Sequence, residues 1–556
     1  MARTGALVGR GAATVAMCAL LAGVGSVACS SDEQNSDVAT TGTSTTATST
    51  TATGTTATTA TTIATPTTEE PSAAPTTDVD ASDSTGRPMT VEWTDDARRL
   101  GSVEVPLDHD DPSAGTTTVR LRRTGARDPD LRIGVLFVNP GGPGATGFSM
   151  VERAQRIFTR EILLRFDIVA VAPRGTDTTV GSVSCLPFDE RAEFESSVDW
   201  SPDAPGEAEA LEAHIGAALQ RCADSNAELL DHVSTMDTVH DMARVVEALG
   251  EEQVSYLGIS YGAPLGATFA TAYPELVRAA VLDAAYHPAY EPVEAERARA
   301  ISEETRLAKL YNECDADPDC PIDGGTQAAF ERVARAADTQ PLQSDPDLPP
   351  INESALYSSI FFHLDVYTGA PDGPLYRAVA DADAGDSTAL QRRYSDAVRF
   401  QASVPALIPI RCIDWPYRDD DPLPIDLPEQ LADDSPLLSS LFPAPPMEYR
   451  SSSGGICGQW PAGPEPLPSP LSAEGAGPVL VLGATEDVAT PIGSAEFLRN
   501  ELVDAAMIYV ESDVHGSYYA STTPEHECAT ESVDRFLIDL DRPPDGTVCA
   551  AQPTAD

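Results

Sequence analysis

The chain is 556 residues long and carries 35 basic against 87 acidic side chains, a formal charge of −52, with 42% hydrophobic residues. This is enough apolar material for one large domain with an insertion, or for two domains. The acidic excess argues against nucleic acid and anionic membrane surfaces as partners.

Three readings of that excess remain open: an ordinary solvated surface, a surface adapted to high salt, or a field that draws cationic substrates such as peptides with free amino termini. Lys309 is the only lysine, so nearly all positive charge is arginine. Residues 1–28 place Arg3 and Arg10 before an apolar stretch that ends in small residues, a secretory signal. Cys29, preceded by Ser26-Val27-Ala28 and followed by Ser30-Ser31, resembles the lipid-attachment site of bacterial lipoproteins. That box has Leu where Ser26 stands, so plain cleavage after Ala28 is the alternative. Residues 29–87, rich in Thr and Ala, lack the apolar bulk to repay chain entropy and are expected to form a disordered tether.

From residue 88 onward the pattern is α/β. SVEVPLD (102–108) and TTTVRLRRTG (116–125) alternate polar and apolar residues, as antiparallel strands at one sheet edge do. IGVLFVN (133–139), FDIVAVA (166–172), QVSYLGIS (253–260), AAVLDAA (279–285), PVLVLG (478–483) and AMIYV (506–510) are nearly continuous apolar runs, suited to parallel strands buried on both faces. Too many residues separate the fourth run from the fifth for one crossover. The expectation is therefore an α/β core at 88–287, a helical cap inserted at 288–405, and the rest of the core at 406–551, with an irregular Pro/Gly-rich excursion over 420–475.

The stretch VSYLGISYGAPLG (254–266) joins strand to helix at Ser260, with Gly258 and Gly262 relieving the crowding of so abrupt a turn. This is the GxSxG nucleophile elbow. A serine hydroxyl needs a base, and the base needs a carboxylate to orient it; in such hydrolases they follow in the order Ser, Asp or Glu, His. GATEDVATP after one strand offers Glu486 and Asp487, and ESDVHGSYY after the next offers His515. His526 lies farther from its strand, and His109, His214, His232, His240, His287 and His363 all precede Asp487, so His515 is the candidate base. Asp487 is the candidate acid, because Thr490-Pro491 downstream can stiffen its turn. NPGGPGATG (139–147) follows a strand where an oxyanion loop belongs, with Gly142 as one backbone donor and the N–H of Tyr261 as the second.

Eight cysteines lie beyond Cys29: Cys185, Cys222, Cys314, Cys320, Cys412, Cys457, Cys528 and Cys549. An even count in an exported chain implies disulfides, and pairing of sequence neighbours is expected. No CxxC pair or HExxH occurs, which argues against a metal; acyl transfer needs neither metal nor organic cofactor.

NPGGPG, FDIVAVAPRGT, GISYGAPLGATFATAYPE, RCIDWP, GATEDVATPIGSAEFL and HGSYYASTTPEHEC resemble, in order, the secreted tripeptidyl aminopeptidases of actinomycetes, relatives of the prolyl aminopeptidases within the α/β hydrolases. The resemblance runs from about residue 92 to 550. It implies an α/β-hydrolase fold, an exported or envelope-anchored serine exopeptidase acting on peptides with free amino termini, and Ser260, Asp487 and His515 as its triad. One departure is Ala172-Pro173-Arg174-Gly175-Thr176-Asp177-Thr178, where such enzymes read DPRGxGxS. Asp414 in RCIDWP is either the acid that receives the substrate ammonium or a structural acid beside Cys412. A carboxylesterase or lipase using the same triad, and a noncatalytic envelope binding protein, are the alternatives.

Overall fold

The computed structural model describes residues 89–550 apart from 95–98, 184, 186–187, 199–205, 227, 288–291, 367–372, 403, 405, 415–426, 443–456, 458–459, 461–466 and 519–523. The signal segment, Cys29 and the Thr/Ala-rich stretch lie outside the described residues. One edge of the sheet is antiparallel: β1 (Glu92–Trp93), β2 (Leu100–Pro106) and β3 (Thr116–Thr124). Alternation in β2 and β3 buries Val103, Val105, Val119 and Leu121 on one side and leaves the polar residues wetter. The remaining strands are β4 (Gly134–Asn139), β5 (Phe166–Val171), β6 (Val254–Ile259), β7 (Val277–Asp283), β8 (Val479–Ala484), β9 (Ala505–Val510) and β10 (Thr547–Cys549).

The ten strands run in the order β1-β2-β3-β5-β4-β6-β7-β8-β9-β10, antiparallel as far as the β3–β5 pair and parallel from β5 to β10. This is the α/β-hydrolase arrangement expected from the sequence. Strands β4, β5, β6 and β8 are buried at every residue, and β7 at every residue but Arg278, because helices cover both faces. On one side Leu136 and Val138 of β4 pack in a cluster with α1 (Phe148–Glu152), α2 (Ala154–Ile157) and α3 (Arg160–Arg165). On the other, Val135 and Phe137 pack with α6 (Thr235–Leu249) and α7 (Gly262–Ala272), which follow α4 (Phe188–Ser196) and α5 (Glu207–Asn226).

Between β7 and β8 come α8 (Pro292–Ala316), α9 (Thr326–Thr339), α10 (Glu353–Val366), α11 (Gly373–Asp383), α12 (Thr388–Ala402), α13 (Leu407–Asp414), α14 (Leu427–Asp434) and α15 (Pro436–Leu441). Their own apolar core starts at Ala300 in α8 and continues through Leu431, Leu438, Leu441 and Phe442, so helices of the insertion extend past residue 405. Helix α13 instead packs with α4 and α5 in a smaller cluster that holds Cys412, Cys457 and Trp460. Two helices complete the core, α16 (Ile492–Glu501) and α17 (Pro524–Asp539). The disulfides join sequence neighbours: Cys185–Cys222, Cys314–Cys320, Cys412–Cys457 and Cys528–Cys549.

Candidate active site

Ser260 sits between the last residue of β6 and the first turn of α7 with φ +57°, a left-handed conformation that costs a non-glycine residue about 1–3 kcal/mol. The turn is so tight that a Cβ on Gly258 would lie 2.1 Å from the Gly262 carbonyl oxygen, and one on Gly262 would lie 2.6 Å from the Asn139 carbonyl oxygen. Both positions therefore require glycine. The strain is held by neighbours: the Ser260 N–H donates to the Asp283 carbonyl at 3.0 Å, and the Ser260 carbonyl accepts from Ala263 N–H at 2.8 Å.

Strand β4 pairs directly with β6, Asn139 opposite Gly258, so the loop after β4 emerges beside the elbow. Gly141 donates its N–H to Asn139 Oδ1 at 2.8 Å. A Cβ on Gly141, whose φ is +94°, would lie 2.8 Å from Ser260 Cβ and 3.0 Å from Tyr261 N. Only a glycine lets the loop approach Ser260 so closely. The N–H groups of Gly142 and Tyr261 have no acceptor among the described residues, which leaves them available to an oxyanion. Helix α13 and the residues before it buttress this loop, since Cβ atoms built on Gly142 and Gly144 would meet Val404 Cγ1 at 3.6 Å and Leu407 N at 3.1 Å. The Tyr261 phenol is also fixed: it donates to Thr235 Oγ1, which donates to Asp414 Oδ2 at 2.6 Å.

Strands β6, β7, β8 and β9 are successive neighbours, so Ser260, Asp283, Asp487 and His515 leave the same carboxyl edge of the sheet, about 4.8 Å per strand apart at their roots. Asp487, 1% exposed, accepts from the N–H of Ala489 at 2.9 Å and of Thr490 at 3.0 Å, and from Thr490 Oγ1 at 2.8 Å. These donors aim the carboxylate at His515, whose Nδ1 lies 3.0 Å from Asp487 Oδ2 and 3.3 Å from Thr490 Oγ1. With the Nδ1 proton donated to Asp487, the lone pair of the neutral ring lies on Nε2, the atom that accepts a proton.

Asp283 was not legible as part of the site, yet it touches both halves. Its carbonyl holds the Ser260 N–H, while its carboxylate accepts from Ser517 N–H at 3.0 Å and Tyr518 N–H at 2.8 Å, two and three residues beyond His515. Burial pushes this carboxyl up to about 6, against the amides of Tyr518 and Ser517 and the nearby His515, which favour its charge. The signal was present in AAVLDAA, where one acid ends an otherwise apolar strand.

Other candidates fall outside this group. Glu486 faces Lys309 at 3.2 Å, and His526 pairs with Ser512 Oγ at 3.2 Å. Both Asp414 oxygens are engaged by Thr235, at the N-terminus of α6, which supports the structural role considered for it. In the departing APRGT turn, Arg174 is wholly buried; it donates to Asp241 Oδ2 at 2.8 Å and to the Leu107 carbonyl at 2.6 Å, locking the turn to α6. A cavity of about 370 Å³ is lined by Gly373, Arg377, Asp381 and Ala389 of α11 and α12, and by none of the loops bearing the triad candidates.

Residues 134–349 match the model of the alpha/beta hydrolase fold, and residues 446–549 match that of the TAP-like protein family. Over 474 residues the chain is 27% identical to serine protease Hip1 of Mycobacterium tuberculosis, covering 81% of this chain and 86% of that protein. It is 28% identical over 486 residues to carboxylesterase B of the same species, with 81% and 86% covered. Tripeptidyl aminopeptidase of Streptomyces lividans is 24% identical over 483 residues, with 81% and 84% covered. The chain thus carries an α/β-hydrolase domain and a TAP-like segment, and it is similar along most of its length to hydrolases of that kind.

Proposed function

We propose that this chain is an exported serine exopeptidase that releases short peptides from free amino termini through an acyl-enzyme on Ser260. The observation that carries the reading is the Asp487–His515 pair at 3.0 Å on the sheet edge that also presents the strained Ser260. Ser260 Oγ attacks the scissile carbonyl as His515 Nε2 takes its proton, and Asp487 stabilises the imidazolium. The Gly142 and Tyr261 amides receive the oxyanion. His515 returns the proton to the leaving amine, and water, activated by the same ring, then releases the peptide.

Two relatives named as a serine protease and a tripeptidyl aminopeptidase support peptide substrates. Export is supported by the signal pattern at 1–28 and by four disulfides, which persist in oxidising compartments. Cys29 as a lipid anchor belongs to the same reading, and would make the lipid the only membrane contact. The test compares tripeptidyl chromogenic amides with free and acetylated amino termini: the free form alone should turn over. Equal cleavage of both would make the enzyme an endopeptidase. A relative named carboxylesterase B favours a second reading, and hydrolysis of short acyl esters without any of peptidyl amides would establish it.

A further inference from the structure

The sole lysine stands where the insertion meets the core. Lys309 Nζ, on α8, lies 3.2 Å from Glu486 Oε2 and 3.3 Å from Asp513 Oδ2. Glu486 immediately precedes the candidate acid Asp487, and Asp513 is two residues before the candidate base His515. The two loops also touch directly, the Glu486 N–H donating to the Ser512 carbonyl at 3.0 Å. One turn earlier on α8, Arg306 reaches Asp513 at 3.9 Å. The opposite attachment of α8 is firm: Leu307, Leu310 and Tyr311 are buried in the core of the insertion, and Glu304 accepts from the Leu437 and Leu438 amides at the start of α15.

Without a cation between them, Glu486 and Asp513 repel each other in a chain whose formal charge is −52. A compact ammonium with three donors serves two carboxylates from different loops at once. Burial alone would lower its pKa, but Asp513 and Glu486 outweigh that and hold it above the ordinary lysine value, so it stays charged at neutral pH. We propose that Lys309 is a positioning residue that pins the acid loop and the base loop to one point on α8. Lys309 is 39% exposed, and an ion pair that wet contributes little to stability. Displacing an acid or base by a fraction of an ångström is a larger matter, since misplacement by 1 Å costs about a hundredfold in rate. The two effects separate: kcat should respond where thermal stability does not.

This inference rests on the triad reading given above, and a single lysine makes its test chemically clean. The full secreted chain is acetylated at its amines, which neutralises Lys309, or guanidinated, which keeps the charge. A fluorophosphonate probe reports Ser260 reactivity whatever the substrate, and kcat is measured on whichever amide or ester the untreated enzyme turns over. Acetylation and Lys309→Met should each lower the labelling rate and kcat about tenfold with KM nearly unmoved and Tm unchanged, and guanidination should retain most of the rate. Lys309→Arg, which has no side-chain amine, should be insensitive to the acetylating reagent. If untreated protein is not labelled at Ser260, the triad reading has failed. If it is labelled but acetylation and Lys309→Met leave kcat unchanged, or raise KM alone, Lys309 does not position the loops.

Discussion

At the scale of single residues the site depends on groups that hold other groups. Ser260 keeps a left-handed backbone because the Asp283 carbonyl, two glycines and Asn139 confine it, and Asp487 is aimed by Thr490 and Ala489. Asp283 yields a pH prediction with a defined sign. Its folded-state pKa of about 6 lies above the reference value of 3.8, so the folded protein holds a proton there that the unfolded chain has lost. Stability from this group is therefore complete below about pH 4 and is lost as pH rises through about 6, a difference of about 3 kcal/mol. In urea unfolding, wild type should gain on Asp283→Asn by roughly this amount between pH 7 and pH 4; parallel pH profiles would refute the assignment. As candidates, Ser260, Asp487 and His515 were legible because strand, turn and chain order mark them. Asp283 was not, because a backbone-binding carboxylate has no motif, and Lys309 stood out only by its rarity.

At the scale of elements, strands β4 to β9 were legible to within two residues, since burial on both faces demands unbroken apolar runs. β1 and β10 were not: they have two and three residues, and Val548 in β10 is 55% exposed, so neither carries a pattern. Short helices α14 and α15 lie in a proline-rich stretch that hides the helical period, although Leu431, Leu438 and Leu441 join the core of the insertion. The Cys528–Cys549 bond ties α17 to the edge strand β10 across 21 residues. Replacing both with serine should cost about 3 kcal/mol by loop-closure entropy, read as a lower urea midpoint. An unchanged midpoint would mean that packing of Phe536 and Leu537 alone anchors the helix.

For the whole molecule, the acidic excess and the sheet make separate claims. A chain of formal charge −52 repels itself in dilute buffer, so Tm should rise between low and molar salt; a flat or falling Tm would remove salt adaptation. The sheet's order is what brings distant segments together, with the candidate amides and nucleophile following β4 and β6 and the candidate acid and base following β8 and β9. The most direct measurement of that convergence is fluorophosphonate labelling mapped by mass spectrometry, in wild type and in His515→Gln. A single modified residue, Ser260, is expected, with a labelling rate lowered about a hundredfold or more in His515→Gln. Modification elsewhere, or an undiminished rate in His515→Gln, would contradict it.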